Sequence, residues 1–214
     1  MKLIPLFPLQ LVIFPNEMLP LHIFEPRYKE MISDCLKTGE PLGILSYIEQ
    51  NISKIGCLCT IETVSKVYED GKYDIVCRAG DRFLTHSFNS SKSYLQGSIS
   101  LFHDLETQTP VDSALMERVI SKYEKLIEIA SQSWEDAPSQ KPINSFELGH
   151  LVGFNLAQKQ NLLEIKSESN RLLYIDEHLD RIVPQMEAFE QVKTRIKSNG
   201  HFREFPPLQF KIDS

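Results

Sequence analysis

The sequence predicts an α+β protein in which a β-rich N-terminal part precedes a C-terminal bundle of helices. Up to about residue 103, short runs of β-branched and aromatic residues alternate with turn residues. Beyond about residue 109, apolar residues recur at the three- and four-residue spacing of helices. Many prolines interrupt the first part, which favours short strands in a strongly bent sheet or partial barrel. We therefore expect a β-rich unit over 1–105, a helical bundle over 106–200 and an apolar tail over 201–214.

The β-rich part contains one predicted helix among its strands. Pro26 suits the first helical position, where its missing N–H costs nothing, and Gly39 followed by Pro41 ends the apolar stripe that begins at Tyr28. Asp70-Gly71 predicts a two-residue hairpin turn between alternating flanks. The remaining strands are expected at Leu3–Phe7, Leu11–Phe14, Leu19–Phe24, Pro41–Ile48, Arg82–Phe88 and Tyr94–Phe102.

The C-terminal part contains four predicted helices. The first is expected to have Thr109 as its cap, Pro110 at its first position and Asp112 at its third, and to end near Ser133. A loop covers 135–143. The other three are expected to begin at Asn144 with Glu147, to cover about 157–164, and to run from a Ser167 cap to Asn199-Gly200. An apolar stripe on this last helix, from Leu172 to Phe189, predicts packing on the preceding helices, with a coiled coil to a partner as the alternative.

Composition and charge argue against several classes of binding partner and cellular location. The net charge is −6 and no window contains a basic run, so we expect binding to neither nucleic acid nor membrane surfaces. The uncharged stretch between Lys2 and Glu17 is interrupted by prolines, which disfavours a signal peptide or a membrane span. The four cysteines lack common zinc or redox spacing, so we expect buried thiols in a cytoplasmic protein.

The sequence contains no common catalytic or cofactor motif. The phosphate loop Gly-x-x-x-x-Gly-Lys-Ser/Thr, the zinc pair His-Glu-x-x-His and the nucleophile elbow Gly-x-Ser-x-Gly are all absent. We therefore expect no catalytic residue, no cofactor and no metal ion. A catalytic triad that forms only in space would leave no such motif, and an enzyme with a cryptic active site stays an alternative.

Several ordered motifs carry a resemblance to a known family. They are FPLQLVIFP at 7–15, LPLHIFEPRY at 19–28, YEDGKYDIVCRAGDRF at 68–83, YLQGSI at 94–99, LAQKQNLLE at 156–164 and SNRLLYIDEHLDRI at 169–182. In this order they resemble the N-terminal substrate-binding domain of the Lon ATP-dependent protease family. The resemblance implies a PUA-like β pseudo-barrel followed by a helical bundle. It does not extend to the ATPase and Ser-Lys protease domains of that family.

The resemblance implies a stand-alone, non-catalytic module that binds unfolded or extended polypeptide. Such a module would act as an adaptor or regulator of proteolysis, with a protease or a chaperone as a further partner. Because PUA-like barrels elsewhere bind RNA, an RNA-binding module is a further alternative, which the acidic balance disfavours.

The candidate peptide-contact residues are Phe14, Pro15 and Met18, where apolar residues cluster beside polar Asn16 and Glu17. Core packing of these side chains is an equally open interpretation. The apolar tail is a second candidate, through Phe202, Phe205, Pro206, Pro207 and Phe210.

Overall fold

The computed structural model describes residues 3–105, 112–131 and 142–200, which form six strands and five helices. The strands are β1 (Leu3–Leu9), β2 (Met18–Ile23), β3 (Leu42–Ile48), β4 (Asn51–Val67), β5 (Tyr73–Asn89) and β6 (Gln96–Leu101). The helices are α1 (Pro26–Thr38), α2 (Ser113–Ser131), α3 (Ser145–Leu151), α4 (Leu156–Glu164) and α5 (Glu168–Gly200). The predicted α+β class is confirmed. The tail candidates Phe202 to Phe210 lie outside the described residues.

The sheet closes on itself. Its order is β2-β5-β4-β3-β1-β6, and β6 pairs in addition with β5, so five strands form a ring. β1 and β3 are parallel, and the other neighbouring pairs are antiparallel. β2 adds to the N-terminal half of β5, outside the ring. Register shifts along β4 and β5 let these two long strands bend around the barrel.

A small apolar cluster fills the barrel interior. Its fully buried members are Leu6, Leu45 and Phe83, with Ile4 beside them. A Cβ atom at Gly43 would lie 2.7 Å from both the Leu6 and the Phe83 side chains. Glycine is therefore needed at this position because the large side chains leave no room for a larger residue.

A second, larger cluster lies between the barrel and the helices. It joins Met31 and Ile32 of α1 to Leu148 of α3, Leu162 of α4 and Ile175 of α5. One core thus crosses the boundary between the predicted units 1–105 and 106–200, whose separation stays a prediction. All four cysteines belong to this cluster and are unpaired thiols. Burial raises the pKa of Cys35 to about 11 and that of Cys57 to about 12, which keeps them protonated.

Four local predictions need correction. Leu11–Phe14 is not a strand but part of a loop, whose apolar side chains are buried where the chain crosses from the barrel to the helices. The stretch 51–67, for which we predicted no strand, is the 17-residue strand β4. The hairpin loop has three residues, because Tyr68 pairs with Lys72 and Gly71 takes the left-handed conformation with a φ of 77°.

The fourth correction concerns the first helix of the C-terminal part. Asp112 caps α2 instead of occupying its third position, since its Oδ1 accepts a hydrogen bond from the Ala114 N–H at 2.9 Å. Thr109 and Pro110 lie outside the described residues. The starts of α3 and α5 agree with prediction: Asn144 caps α3, and Ser167 precedes α5. The predicted stripe of α5 is buried at Leu172 but no longer at Phe189, which is 62% exposed.

Candidate functional site

The loop between β1 and β2 lies against α3, and its first candidate residue is buried. Phe14 is 0% exposed, and its ring stacks on Phe146 with centroids 5.2 Å apart. The ring occupies space left by Gly149, where a Cβ atom would lie 2.7 Å from it. Phe14 is therefore a core residue whose side chain is not available to a peptide. This corrects its assignment as a peptide contact, and Gly149 allows the loop to pack closely against α3.

The other two candidates reach the surface at different places. Met18 is 47% exposed at the start of β2, opposite Arg78 of β5. Pro15 is half-buried and lines a cleft between the barrel and the helices. The structure thus brings Pro15, but neither Phe14 nor Met18, into this cleft.

We call this feature the junction cleft. It has a volume of about 410 Å³. Its walls are residues 15–16 of the loop, residues 80–82 of β5, residues 102–104 after β6 and Phe146 of α3. Barrel, loop and helix each contribute one wall, so the cleft exists only in the assembled fold.

The cleft lies at a gap in the sheet. β2 stops pairing with β5 at Ala79, whose N–H donates to the Glu17 carbonyl at 2.8 Å. β6 takes over at Arg82, whose carbonyl accepts from the Phe102 N–H at 2.8 Å. Gly80 and Asp81, between these points, pair with neither strand. The edge of β5 is therefore uncovered over two residues at the cleft.

A hydrogen-bonded carboxylate holds the loop wall in place. The Glu17 carboxylate accepts from the Phe14 N–H at 2.9 Å and lies 2.5 Å from Nε2 of His150 on α3. Asn16 has a φ of 71°, in the left-handed region that asparagine tolerates better than most residues. The position of Pro15 and Asn16 thus depends on contacts with the helical half.

Two buried arginines join the two halves beside the cleft, and one of them, Arg82, lines it. Arg82 of β5 donates to the carbonyls of Leu163 and Ile165, at 2.6 and 2.8 Å, and to the carboxylate of Asp104. These carbonyls end α4, where a positive charge is favourable. The barrel is therefore bonded to the C-terminus of a helix through a charged side chain.

Arg171 of α5 completes this cluster. All three of its guanidinium nitrogens donate, to Asp104 at 2.6 and 2.8 Å, to Glu168 at 2.8 Å and to Ser145 at 2.9 Å. We call Arg82, Asp104, Glu168 and Arg171 the junction cluster. The sequence did not predict this cluster, because its members are far apart along the chain and meet only in the folded protein.

The charges of the junction cluster balance internally. Burial alone would raise the pKa of Asp104, but the hydrogen bonds and charge of Arg171, together with the charge of Arg82, lower it. Both arginines are thereby occupied, so the cleft offers no obvious anion site. Asp81, by contrast, is exposed at the rim and makes no ion pair within the described part of the chain. Among the described residues that line the cleft, the exposed charge outside an ion pair is therefore that of Asp81.

Other polar groups make surface contacts with one another. His22 lies 2.6 Å from the Asp74 carboxylate, which also accepts from the Tyr68 hydroxyl. In the part of the chain that the structure describes, no three histidine, cysteine or acidic side chains are placed to hold a metal ion. Among the described helices, none has both the length and the hydropathy to cross a bilayer.

Comparison with known proteins identifies the relatives of this chain. The chain is 18% identical to Lon protease 2 of Syntrophobacter fumaroxidans, over 88% of its own length and 25% of that protein. It is 21% identical to the Lon protease of Cytophaga hutchinsonii, over 92% of its own length and 26% of that protein. The chain therefore spans about a quarter of the length of the curated relatives it matches.

Solved structures show the same fold. The Lon N-terminal domain protein from Xanthomonas campestris matches with a TM-score of 0.62 and 22% identity, over 81% of this chain and 96% of that one. The N-terminal domain of the Mycobacterium avium complex Lon protease matches with a TM-score of 0.59 and 16% identity, over 84% and 99%. The family model of the ATP-dependent protease La (LON) substrate-binding domain matches residues 3–181, and the chain belongs to that family.

Proposed function

We propose that this chain is a non-catalytic recognition module that binds unfolded or extended polypeptide. The observation that carries the proposal is the match of residues 3–181 to a substrate-binding domain and not to an ATPase or protease domain. The junction cleft adds support, because it combines half-buried apolar walls with an uncovered strand edge. These are the two features that hold the main chain and the apolar side chains of an unfolded client.

The outer edges of β2 and β4 are also uncovered, but they are less suited to pairing with a long extended segment of a client. Along the β2–β5 pair, every second residue of β2 forms backbone hydrogen bonds with β5, counting from the bond to Ala79. The backbone nitrogen of Pro20 therefore faces the outer edge of β2, where proline has no N–H to donate. The outer edge of β4 beyond Cys59 has irregular register around Glu62 and Ser65. Proline and bulges are the devices by which edge strands avoid pairing with other chains. This favours the junction cleft as the binding site.

A role as adaptor or regulator of proteolysis, with a protease or chaperone as a partner, is part of the same proposal. Its support is that the matched relatives are Lon proteases. The cytoplasmic location likewise stays a prediction.

Photo-crosslinking tests the proposal. The client is reduced, carboxymethylated α-lactalbumin, and the control is native α-lactalbumin, which has the same sequence in a folded state. We expect the unfolded client to crosslink, with adducts that mass spectrometry maps to residues 15–16, 80–82 and 102–104. Equal crosslinking of both forms, or none of either, would contradict the proposal.

The two alternatives have their own tests. Turnover of casein with ATP that survives removal of contaminating protease would support an enzyme and end the non-catalytic proposal. For RNA, we expect no binding at physiological ionic strength, because the net charge is −6 and the sequence contains no basic run. Retained RNA that resists moderate salt would favour that alternative.

A further inference from the structure

We propose that the junction cleft selects short extended segments in which an apolar side chain lies beside a basic one. This inference rests on the proposed function and specifies the class of polypeptide that the cleft binds.

The main-chain part of the argument comes from the gap in the sheet. Between Ala79, where β2 ends its pairing, and Arg82, where β6 begins, an extended segment can lie beside Gly80 and Asp81. At about 3.3 Å per residue, this gap fits two or three residues of a client. Gly80 carries no side chain on the exposed edge, so another backbone can approach it closely.

The apolar part comes from the walls of the cleft. Pro15, Phe102 and Phe146 are all half-buried, and each has part of its apolar surface facing the cleft. The Phe146 ring is held in place by the Phe14 ring and by Arg171. The guanidinium carbon of Arg171 lies 4.4 Å from the centroid of the Phe146 ring. Preformed apolar walls bind an apolar side chain without the cost of ordering mobile groups.

The preference for a basic side chain in the client follows from which charged groups at the cleft already form ion pairs. Asp104 and Glu168 balance the guanidinium groups of Arg171 and Arg82. Asp81 is exposed at the rim without an ion pair in the described part of the chain, and next to Gly80 it lies beside the proposed client backbone. A cationic side chain of the client can pair with the Asp81 carboxylate, whereas an acidic side chain is repelled by its like charge.

Fluorescence anisotropy with labelled peptides of matched length tests the inference. The three peptides repeat Leu-Arg, Leu-Glu or Ser-Arg. We expect the native chain to bind Leu-Arg tightest, since only that peptide satisfies both the apolar walls and Asp81. The advantage over Leu-Glu should shrink as salt is raised, because the pair with Asp81 is exposed.

Asp81→Lys is the decisive variant, and Glu69→Lys is its matched control. Glu69 is an exposed acid in the β4–β5 loop, outside the cleft, and its substitution makes the same change of net charge. We expect Asp81→Lys to weaken Leu-Arg binding about fivefold and to strengthen Leu-Glu binding, as an exposed charge contact allows. Glu69→Lys should change neither by more than about twofold. Equal thermal unfolding of both variants shows that they are folded.

The outcomes separate this inference from the proposed function. If unfolded α-lactalbumin still crosslinks but Asp81→Lys and Glu69→Lys behave alike toward the peptides, the cleft preference is wrong and the recognition function stands. If neither the unfolded client nor any peptide binds the native chain, the proposed function itself fails.

Discussion

Arg82 and Phe83 are neighbours on β5, yet they belong to two buried regions of opposite character. Successive side chains of a strand point to opposite faces, so Phe83 enters the barrel interior while Arg82 enters the junction with the helices. The large side chains of the barrel interior are apolar, and glycines leave room for them. The junction instead places two guanidinium groups among carboxylates and helix-end carbonyls.

The stability of the two regions therefore depends on different properties of their residues. An apolar interior depends on volume and shape, so it responds to cavities and overpacking. A buried ionic cluster depends on complete pairing, so it responds to the loss of a single partner. The junction cleft lies on the ionic side, and Arg82 and Asp104 line it.

We expect the greatest loss of stability from a cavity in the barrel. Phe83 is fully buried between Leu6 and Gly43, so Phe83→Ala removes a ring that its neighbours cannot replace. We expect the free energy of unfolding to fall by about 3–5 kcal/mol in urea titrations. Phe83→Leu, which leaves a smaller void, should cost clearly less. A loss below about 1 kcal/mol for the alanine variant would show that the interior collapses around the void.

A smaller effect, but one that depends on pH, is expected at the junction. Asp104→Asn removes the charge shared by Arg82 and Arg171. Because the Asp104 side chain is 39% exposed, we expect a loss of about 2 kcal/mol at neutral pH, below the usual cost of a fully buried pair. Asp180→Asn is the control, since Asp180 is a surface acid paired with Lys122.

The pH dependence of this loss has a definite sign. Asp104 has a folded pKa below its ordinary value of 3.8, so its contribution is present above that value and is lost as pH falls through the lowered pKa. The stability gap between the native chain and Asp104→Asn should therefore close in strong acid, whereas the gap for Phe83→Ala should persist. A gap for Asp104→Asn that is unchanged in acid would argue against ionic pairing.

The smallest effect is expected from a helix cap that supports the junction indirectly. Asn155 and Gln158 exchange two hydrogen bonds of 2.9 Å at the start of α4, the helix whose last carbonyls bind Arg82. Asn155→Ala should cost about 1 kcal/mol, measured by thermal unfolding. Hydrogen exchange should speed up in α4 and leave the β1–β3 pair unchanged. Faster exchange throughout the barrel would mean that the two regions are not energetically separable.

Local signals in the sequence predicted much of the fold because they act over a few residues. Pro26 and Gly39 bound α1 as expected, and Asn144 caps α3. The errors arose where burial overrode local pattern. The apolar run Leu11–Phe14 suggested a strand, but it is a loop whose side chains are drawn into the core. The mixed pattern of 51–67 conceals β4, because its bulges shift which residues face inward.

The candidate site was predicted only in part for the same reason. The sequence directed attention to the loop of Pro15, which does line the junction cleft, but it could not separate Pro15 from buried Phe14. Whether an apolar side chain is core or surface depends on Gly149 and Phe146, more than a hundred residues away. No local pattern carries that information.

The two-part order of strands and helices, the acidic balance and the family resemblance can be predicted from the sequence alone, because periodicity, capping residues and ordered motifs are properties of neighbouring positions. The gap in the sheet at Gly80 and Asp81, and the sharing of Asp104 between Arg82 and Arg171, follow from the three-dimensional packing. These features arise where distant segments meet, and contacts across long separations are set by the packing of the whole chain.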